Sequence, residues 1–244
     1  MTGTLTIAGL GPGDEALITP EVAAALAAAT DIVGYAPYVT RVPPRAGLTL
    51  HPSDNRVELQ RAGEALRLAS EGGHVVVVSS GDPGVFAMAS AVFEALEDAP
   101  QWHDLPIRVL PGVTAMLAAA ASAGAPLGHD FCAINLSDNL KPWPLIEKRL
   151  RLAAEADFAI AMYNPRSASR QEGFGRALEI LRKAGCDERI VVFARAVSTP
   201  EQRIDTVELR DARPEMADMR TLVIVGNSAT RRVGRWVYAP RQVR

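Results

Sequence analysis

The chain has 244 residues, 48% apolar and 22% charged, with 26 basic and 28 acidic side chains and a formal net charge of -2. That length holds one large domain or two small ones and buries a substantial core without covalent staples. The near balance of charge provides no global field for nucleic acid or anionic lipid, so neither is expected as a partner.

Short apolar runs alternate with longer helical stretches. Residues 5–10 read as a buried strand and 20–29 as a helix, with Thr19 as N-cap and Pro20 at the first helical position. A short strand is expected at 31–34. A helix at 57–70 follows, with Ser53 or Asp54 as its cap and Gly72-Gly73 as its end. Residues 74–79 contain four successive valines, the pattern of a strand buried on both faces. A helix at 86–96, a strand at 107–110 and a small-residue helix at 113–123 complete the first half.

Gly124-Ala125-Pro126-Leu127-Gly128 has linker chemistry. Strands at 131–136, 157–162, 189–194, 203–209 and 221–225 then alternate with helices at 144–154 and 171–184. The late strands crowd together, which implies an antiparallel pair there. Strand–helix alternation gives an α/β fold with largely parallel sheets, in two lobes (1–122 and 123–244) with a ligand cleft between them.

Turns at strand ends carry the chemistry. Gly9-Leu10-Gly11-Pro12-Gly13-Asp14 sits where a dinucleotide fingerprint would, yet its third glycine is one residue early. Pro12 lacks a backbone donor, Asp14 puts negative charge where a pyrophosphate would lie, and the helix begins only after Thr19. No acid ends the second strand for a ribose. The plain reading is a turn needing positive φ at glycine; the functional one is a turn that lets a neutral or cationic ligand near the backbone. Ser80-Gly81-Asp82-Pro83-Gly84 and Pro111-Gly112-Val113-Thr114-Ala115 follow later strands, and each alone reads as an ordinary turn or helix start. Met162-Tyr163-Asn164-Pro165 and Val225-Gly226-Asn227-Ser228 repeat the theme. Together they point to a ligand site.

Cys132 and Cys186 are far apart, suiting buried thiols in a reducing cytosol better than a disulfide or a four-cysteine iron–sulfur cluster. No His, Cys and acid spacing converges on a metal. The N-terminal residues show no basic stretch before an apolar run, and no apolar run reaches the roughly 20 residues that span a bilayer. A cytoplasmic location is the expectation.

The glycine and Gly-Asp-Pro loops, in this order, resemble the tetrapyrrole (corrin/porphyrin) methylase family, the class III S-adenosylmethionine-dependent methyltransferases. The similarity runs over essentially the whole chain. It implies a homodimer and a cofactor bound between lobes, with S-adenosylhomocysteine as product. By that resemblance Pro12, Ser80, Gly81, Asp82, Val85, Thr114 and Ala115 contact the cofactor from the first lobe. Tyr163, Asn164, Arg195, Ala196, Thr221 and Leu222 do so from the second. Gly34-Tyr35, Tyr38, Leu136-Ser137-Asp138-Asn139-Leu140, Pro142-Trp143 and Tyr163-Asn164-Pro165-Arg166-Ser167 resemble one subgroup, which methylates a precorrin and contracts its ring. Asp54-Asn55 stand where that subgroup carries Gly-Met.

The resemblance implies a polycarboxylate tetrapyrrole substrate, which calls for arginines that grip carboxylates bidentately. Arg166, Arg170 and Lys141 are the candidates, with Arg41, Arg45, Arg231 and Arg232 also in loops. Methyl transfer from a sulfonium needs orientation more than a strong base, so Asp82 is a binding group first and a base second. Ring contraction moves protons, for which His51, Asp138, His129 and Glu58 are candidates. Other precorrin, cobalt-precorrin or uroporphyrinogen methylases are the near alternatives. A nucleotide-binding oxidoreductase and a non-catalytic tetrapyrrole carrier are the distant ones.

Overall fold

The valines of residues 75–78 divide between two cores, as alternation in a doubly covered strand requires. Val75 and Val77 face one side of the first sheet and Val76 and Val78 the other. The computed structural model describes residues 3–167 and 169–242; Met1 and Thr2 lie outside them. Contacts divide the chain into two units, Met1–Thr114 and Ala115–Arg244.

In the first unit, β1 (Thr4–Gly9), α1 (Pro20–Ala28), β2 (Asp31–Tyr35), α2 (Ala36–Val39), β3 (Thr49–Ser53), α3 (Glu58–Ser70), β4 (His74–Ser79), α4 (Met88–Glu97) and β5 (Ile107–Leu110) follow in order. The sheet runs β3-β2-β4-β1-β5, parallel throughout. On one face Leu5, Ile7, Val75 and Val77 meet Ala62, Ala65, Leu66 and Ala69 of α3 and Met88, Ala89 and Val92 of α4. On the other, Ala8, Ile32, Val76 and Val78 meet Val22 of α1 and Val39 of α2.

Thr19 caps α1 by accepting from the Val22 amide, with Pro20 opening the helix. The expected cap of α3 fails. Val57 holds the cap position with no side-chain bond; the Ser53 hydroxyl is bound to Arg61 and the Asp54 carboxylate accepts the Asn55 amide instead. Strand β3 and the single turn α2 have no counterpart in the sequence reading: Thr49–Ser53 contains a proline and lies at the sheet's edge.

The second unit contains α5 (Ala115–Ala123), β6 (Gly124–Ala125), β7 (Phe131–Asn135), α6 (Trp143–Glu155), β8 (Ala159–Tyr163), α7 (Gly173–Lys183), β9 (Ile190–Arg195), β10 (Arg203–Glu208), β11 (Thr221–Val225), β12 (Arg231–Val233) and β13 (Trp236–Tyr238). Its main sheet runs β10-β9-β11-β8-β7. β7 and β8 are parallel, whereas β11 is antiparallel to both of its neighbours and β10 is antiparallel to β9. Phe174, Leu178 and Leu181 of α7 and Ile146 and Leu150 of α6 are fully buried with Ile160, Met162, Phe193 and Val223. The glycine-bounded stretch read as a linker begins with a strand: Gly124 and Ala125 pair with Val237 and Tyr238 of β13.

Candidate functional site

Strands β4, β1 and β5 are adjacent and parallel, so their C-terminal loops share one edge, the place where such sheets bind ligands. The three loops meet backbone to backbone. A Cβ on Gly112 would lie 2.2 Å from the Gly81 carbonyl oxygen, and one on Gly9 would lie 2.5 Å from the same atom. Only glycine fits there, by close approach. Gly11 adds a left-handed turn at φ 67°. The Gly11 and Gly81 amides each donate to the other's carbonyl, at 3.2 and 2.9 Å.

Asp82 locks the junction. Its Oδ1 accepts the Gly84 amide at 2.8 Å, and its Oδ2 accepts the Gly112 amide at 3.0 Å, tying the second loop to the third. Pro12, Ser80 and Val85 are half-buried around it, and Gly81 and Thr114 are buried. Phe86, directly after Val85, sits in the left-handed region at φ 53°, a costly conformation for a bulky residue and of the kind that clusters at functional sites.

Arg41 and Arg45 are both turned onto backbone carbonyls. Arg41 reaches under the first loop and donates to the Leu10, Gly11 and Gly13 carbonyls at 2.6, 3.1 and 3.2 Å. Burial pushes its guanidinium below the usual value, while Tyr38 and Glu15 raise it. Arg45 donates to the Leu26, Ala27 and Ala29 carbonyls, capping the C-terminus of α1. Asp14 accepts the Ala16 amide at 2.9 Å and caps the turn Glu15–Leu17. His51 bonds Asp31 at 2.8 Å. Asp31 opens β2, at the end of the sheet opposite the loops, so the structure does not bring His51 to them. Glu58 is exposed in the first turn of α3.

In the second unit, β8 and β9 point the same way because both are antiparallel to β11. The C-termini of β7, β8 and β9 and the start of β11 therefore share an edge. It brings together Tyr163, Asn164, Arg195, Ala196, Thr221 and Leu222. Thr221 pairs directly with Arg195, and the Ala196 amide donates to the Arg220 carbonyl at 2.8 Å. Three non-glycine residues on this edge, Asn164, Ala196 and Ser198, have φ of 52°, 48° and 62°. The Tyr163 hydroxyl accepts the Met116 amide at 3.1 Å, and Ala115, half-buried, opens α5 just before it.

Two residues to which the sequence reading gave no role in the site organise this edge. Asn135 Oδ1 accepts from the Asn164 amide side chain at 3.1 Å and from the Ser137 amide at 2.9 Å. Asp218 accepts from Arg195 Nε at 2.7 Å and from the Thr221 hydroxyl at 2.7 Å. Burial pushes the Asp218 carboxyl up, but hydrogen bonds from Thr221, Arg195 and the Arg220 amide outweigh it and hold it below the usual range. In the first unit Arg61 was missed in the same way. Its guanidinium, 4% exposed, donates to Ser53 Oγ, the Asp54 carbonyl and Met88 Sδ, linking the loop after β3 to the start of α4. Nothing in a helical pattern marks a buried arginine, and an Asp three residues before a strand reads as a turn.

A cavity of about 450 Å³ lies beside this edge, lined by Arg166, Ser167, Gln171, Asp218, Met219 and Arg220 among others. Among the described residues the buried Arg166 Nε has no hydrogen-bond partner. Arg170 follows on the same loop, its backbone paired with Ser167. Lys141 is half-buried before α6, and burial, then Arg149, pushes its ammonium down. Asp138 is exposed on the loop after β7, and Pro142 holds the cap position of α6. His129 lies 3.6 Å from Asp130. Among the described residues no group of three His, Cys, Asp or Glu side chains could hold a metal ion, and no helix is long and apolar enough to cross a membrane.

A family model described as Tetrapyrrole (Corrin/Porphyrin) Methylases matches residues 4–213. A Sinorhizobium protein named precorrin-3B C(17)-methyltransferase is 52% identical over 247 residues, covering 99% of this chain and 97% of that one. The Mycobacterium tuberculosis protein CobIJ, named for cobalamin biosynthesis, is 49% identical over 235 residues; 95% of this chain spans 46% of that longer protein. A crystal structure of the methyltransferase CobJ matches with a TM-score of 0.96 and 71% identity, over 98% of this chain and 100% of that one.

Proposed function

The chain belongs to the tetrapyrrole (corrin/porphyrin) methylases, and from that premise we propose that it transfers a methyl group from S-adenosylmethionine to C17 of precorrin-3B, with ring contraction to precorrin-4, in cobalamin biosynthesis. The observation that carries the choice of substrate is the end-to-end match, at 52% identity, to a protein named for that reaction. The proposed setting is a cytoplasmic homodimer.

The strand-end loops fit such a cofactor better than a dinucleotide. Arg41 is turned inward onto carbonyls, α1 begins only at Pro20, and Asp14 is used as a local cap. At the first loop, therefore, neither the Arg41 guanidinium nor the N-terminus of α1 is offered to a phosphate. What the first-unit edge offers is acceptors, the Ser80 hydroxyl and the Asp82 carboxylate, which suit hydroxyl groups and a cation. Pro12, Ser80, Gly81, Asp82, Val85 and Thr114 are its proposed cofactor contacts. Ala115, Tyr163, Asn164, Arg195, Ala196, Thr221 and Leu222 are those of the second unit.

The cofactor supplies a methyl group activated on a sulfonium, and an electron-rich ring carbon attacks it directly. The protein's part is orientation and exclusion of water. Asp82 fixes the loops through two amides, so its first role is to hold the binding surface in place. Arg166, with its unsatisfied Nε, is the foremost candidate for a substrate carboxylate, with Arg170 and Lys141 beside it in the proposal. Asp138 is the exposed acid proposed to move protons during contraction. Calorimetric titration with S-adenosylhomocysteine and with NADH tests the reading. Binding of the first and not the second is expected; the reverse would contradict the proposed cofactor.

A further inference from the structure

Away from the strand-end loops, the second unit builds a small sheet from β12, β13 and β6. The Ala239 amide donates to the Ala125 carbonyl at 3.0 Å, and a Cβ on Gly124 would lie 2.4 Å from the Val237 carbonyl, so the hairpin is held close against the end of α5. Beside it lies a cavity of about 580 Å³, lined by Arg231, Tyr238, Ala239, Pro240, Arg241 and Gln242. That volume falls in the range of about 300–1,000 Å³ typical of sites for organic ligands and exceeds what one inorganic anion needs.

Among the described residues the lining holds two arginines, a phenol and an amide, and no Asp or Glu. Residues 219–244 contain arginines at 220, 231, 232, 235, 241 and 244 and not one Asp or Glu. Most other arginines of the unit are engaged. Arg189 pairs with Asp157, Arg195 with Asp218, Arg220 with Glu201 and Arg210 with Glu208. Arg182 donates to two carbonyls, and Arg176 stacks over Trp143. Arg235 stacks over Trp236 on the hairpin itself, 4.2 Å from the ring centroid. Among the described residues, neither the Arg231 nor the Arg241 guanidinium has an ion pair or hydrogen bond. Both side chains are exposed, so each guanidinium is open to an entering anion.

We propose that this cavity binds carboxylate groups of a multiply carboxylated organic anion, with Arg231 and Arg241 as bidentate partners and the Tyr238 hydroxyl as a neutral donor. Planar guanidinium forks match carboxylates in a way that lysines do not. Two sources share this chemistry. One is the acid side chains of a tetrapyrrole, which rests on the function proposed above. The other is a free polycarboxylate.

The test is calorimetry on the full chain with uroporphyrin, an octacarboxylated tetrapyrrole, with citrate, and with S-adenosylhomocysteine. It compares the parent, Arg231→Gln/Arg241→Gln and Arg241→Lys. The double variant is expected to lose about tenfold or more in affinity for the carboxylated probe, as removal of charge-assisted bidentate bonds requires, with S-adenosylhomocysteine binding unchanged. Arg241→Lys, which keeps the charge and loses the fork, should fall between. Binding of uroporphyrin without citrate assigns the site to a tetrapyrrole, and binding of citrate assigns it to a free acid. The proposal is overturned if the parent binds neither probe, or if the double variant, folded by circular dichroism, binds as the parent does. Failure of S-adenosylhomocysteine to bind would strike the methyltransferase reading and leave this result separate.

Discussion

Replacing Gly112 by alanine tests the loop junction most sharply. The new Cβ would stand 2.2 Å from the Gly81 carbonyl oxygen and 2.8 Å from that of Gly9. Ordinary contact needs about 3.5 Å, so the loops must open by roughly 1 Å. Both obstructing atoms are backbone, so no side-chain rotation relieves the clash. Overpacking of this kind costs about 1–3 kcal/mol. The opening also strains the Gly112 amide bond to Asp82, worth about 1 kcal/mol. A total loss of about 2–4 kcal/mol is expected, together with loss of S-adenosylhomocysteine binding, read by urea unfolding and calorimetry. Gly63→Ala is the control. It lies in α3 with nothing within 4 Å of its Cβ, so alanine should stabilise by about 0.5–1 kcal/mol and leave binding intact. A Gly112→Ala protein within about 0.5 kcal/mol of the parent, the usual range for inconsequential changes, and binding normally, would refute the reasoning.

Asp82→Asn leaves one oxygen for two amides, and should destabilise by about 1–3 kcal/mol while weakening S-adenosylhomocysteine; unchanged stability and affinity would remove Asp82 from the junction. Arg45→Ala uncaps α1, and should cost about 1 kcal/mol with cofactor binding unaffected, as the same two measurements will show. Burial, then Tyr35, raises the Tyr38 phenol above 10.0. The unfolded chain therefore releases that proton first. The contribution is whole below about pH 10 and is lost as pH rises through the folded value. Urea midpoints between pH 9 and about 11 should fall in the parent and fall less in Tyr38→Phe; parallel curves would contradict this.

Much of the architecture was written in local pattern. Four successive valines located the central strand, and Thr19-Pro20 located a helix start, because burial on two faces and capping are both local requirements. What escaped was decided at a distance. Ser53 and Asp54 read as caps, but Arg61 claims the Ser53 hydroxyl and the Asn55 amide the Asp54 carboxylate. Arg41 and Arg45 read as ligand arginines, yet each found carbonyls left open by a loop or a helix end. The glycines of the first loop read as a source of positive φ. Gly11 is that, but Gly9 and Gly112 are glycine because three loops touch, which no single segment can reveal. The motif order still pointed to the right family, since strand-end loops carry its chemistry. Asp218 had no signal beyond turn composition, and Asn135 read only as the end of a strand.

The central claim is methyl transfer to one carbon of one tetrapyrrole. Incubation with precorrin-3B and S-adenosylmethionine labelled with ¹³C in its methyl group, followed by mass and carbon NMR of the product, tests it directly. The expected product carries one added labelled methyl at C17 and a contracted ring. A labelled methyl at another carbon, or no transfer by a protein that binds S-adenosylhomocysteine, would contradict the account.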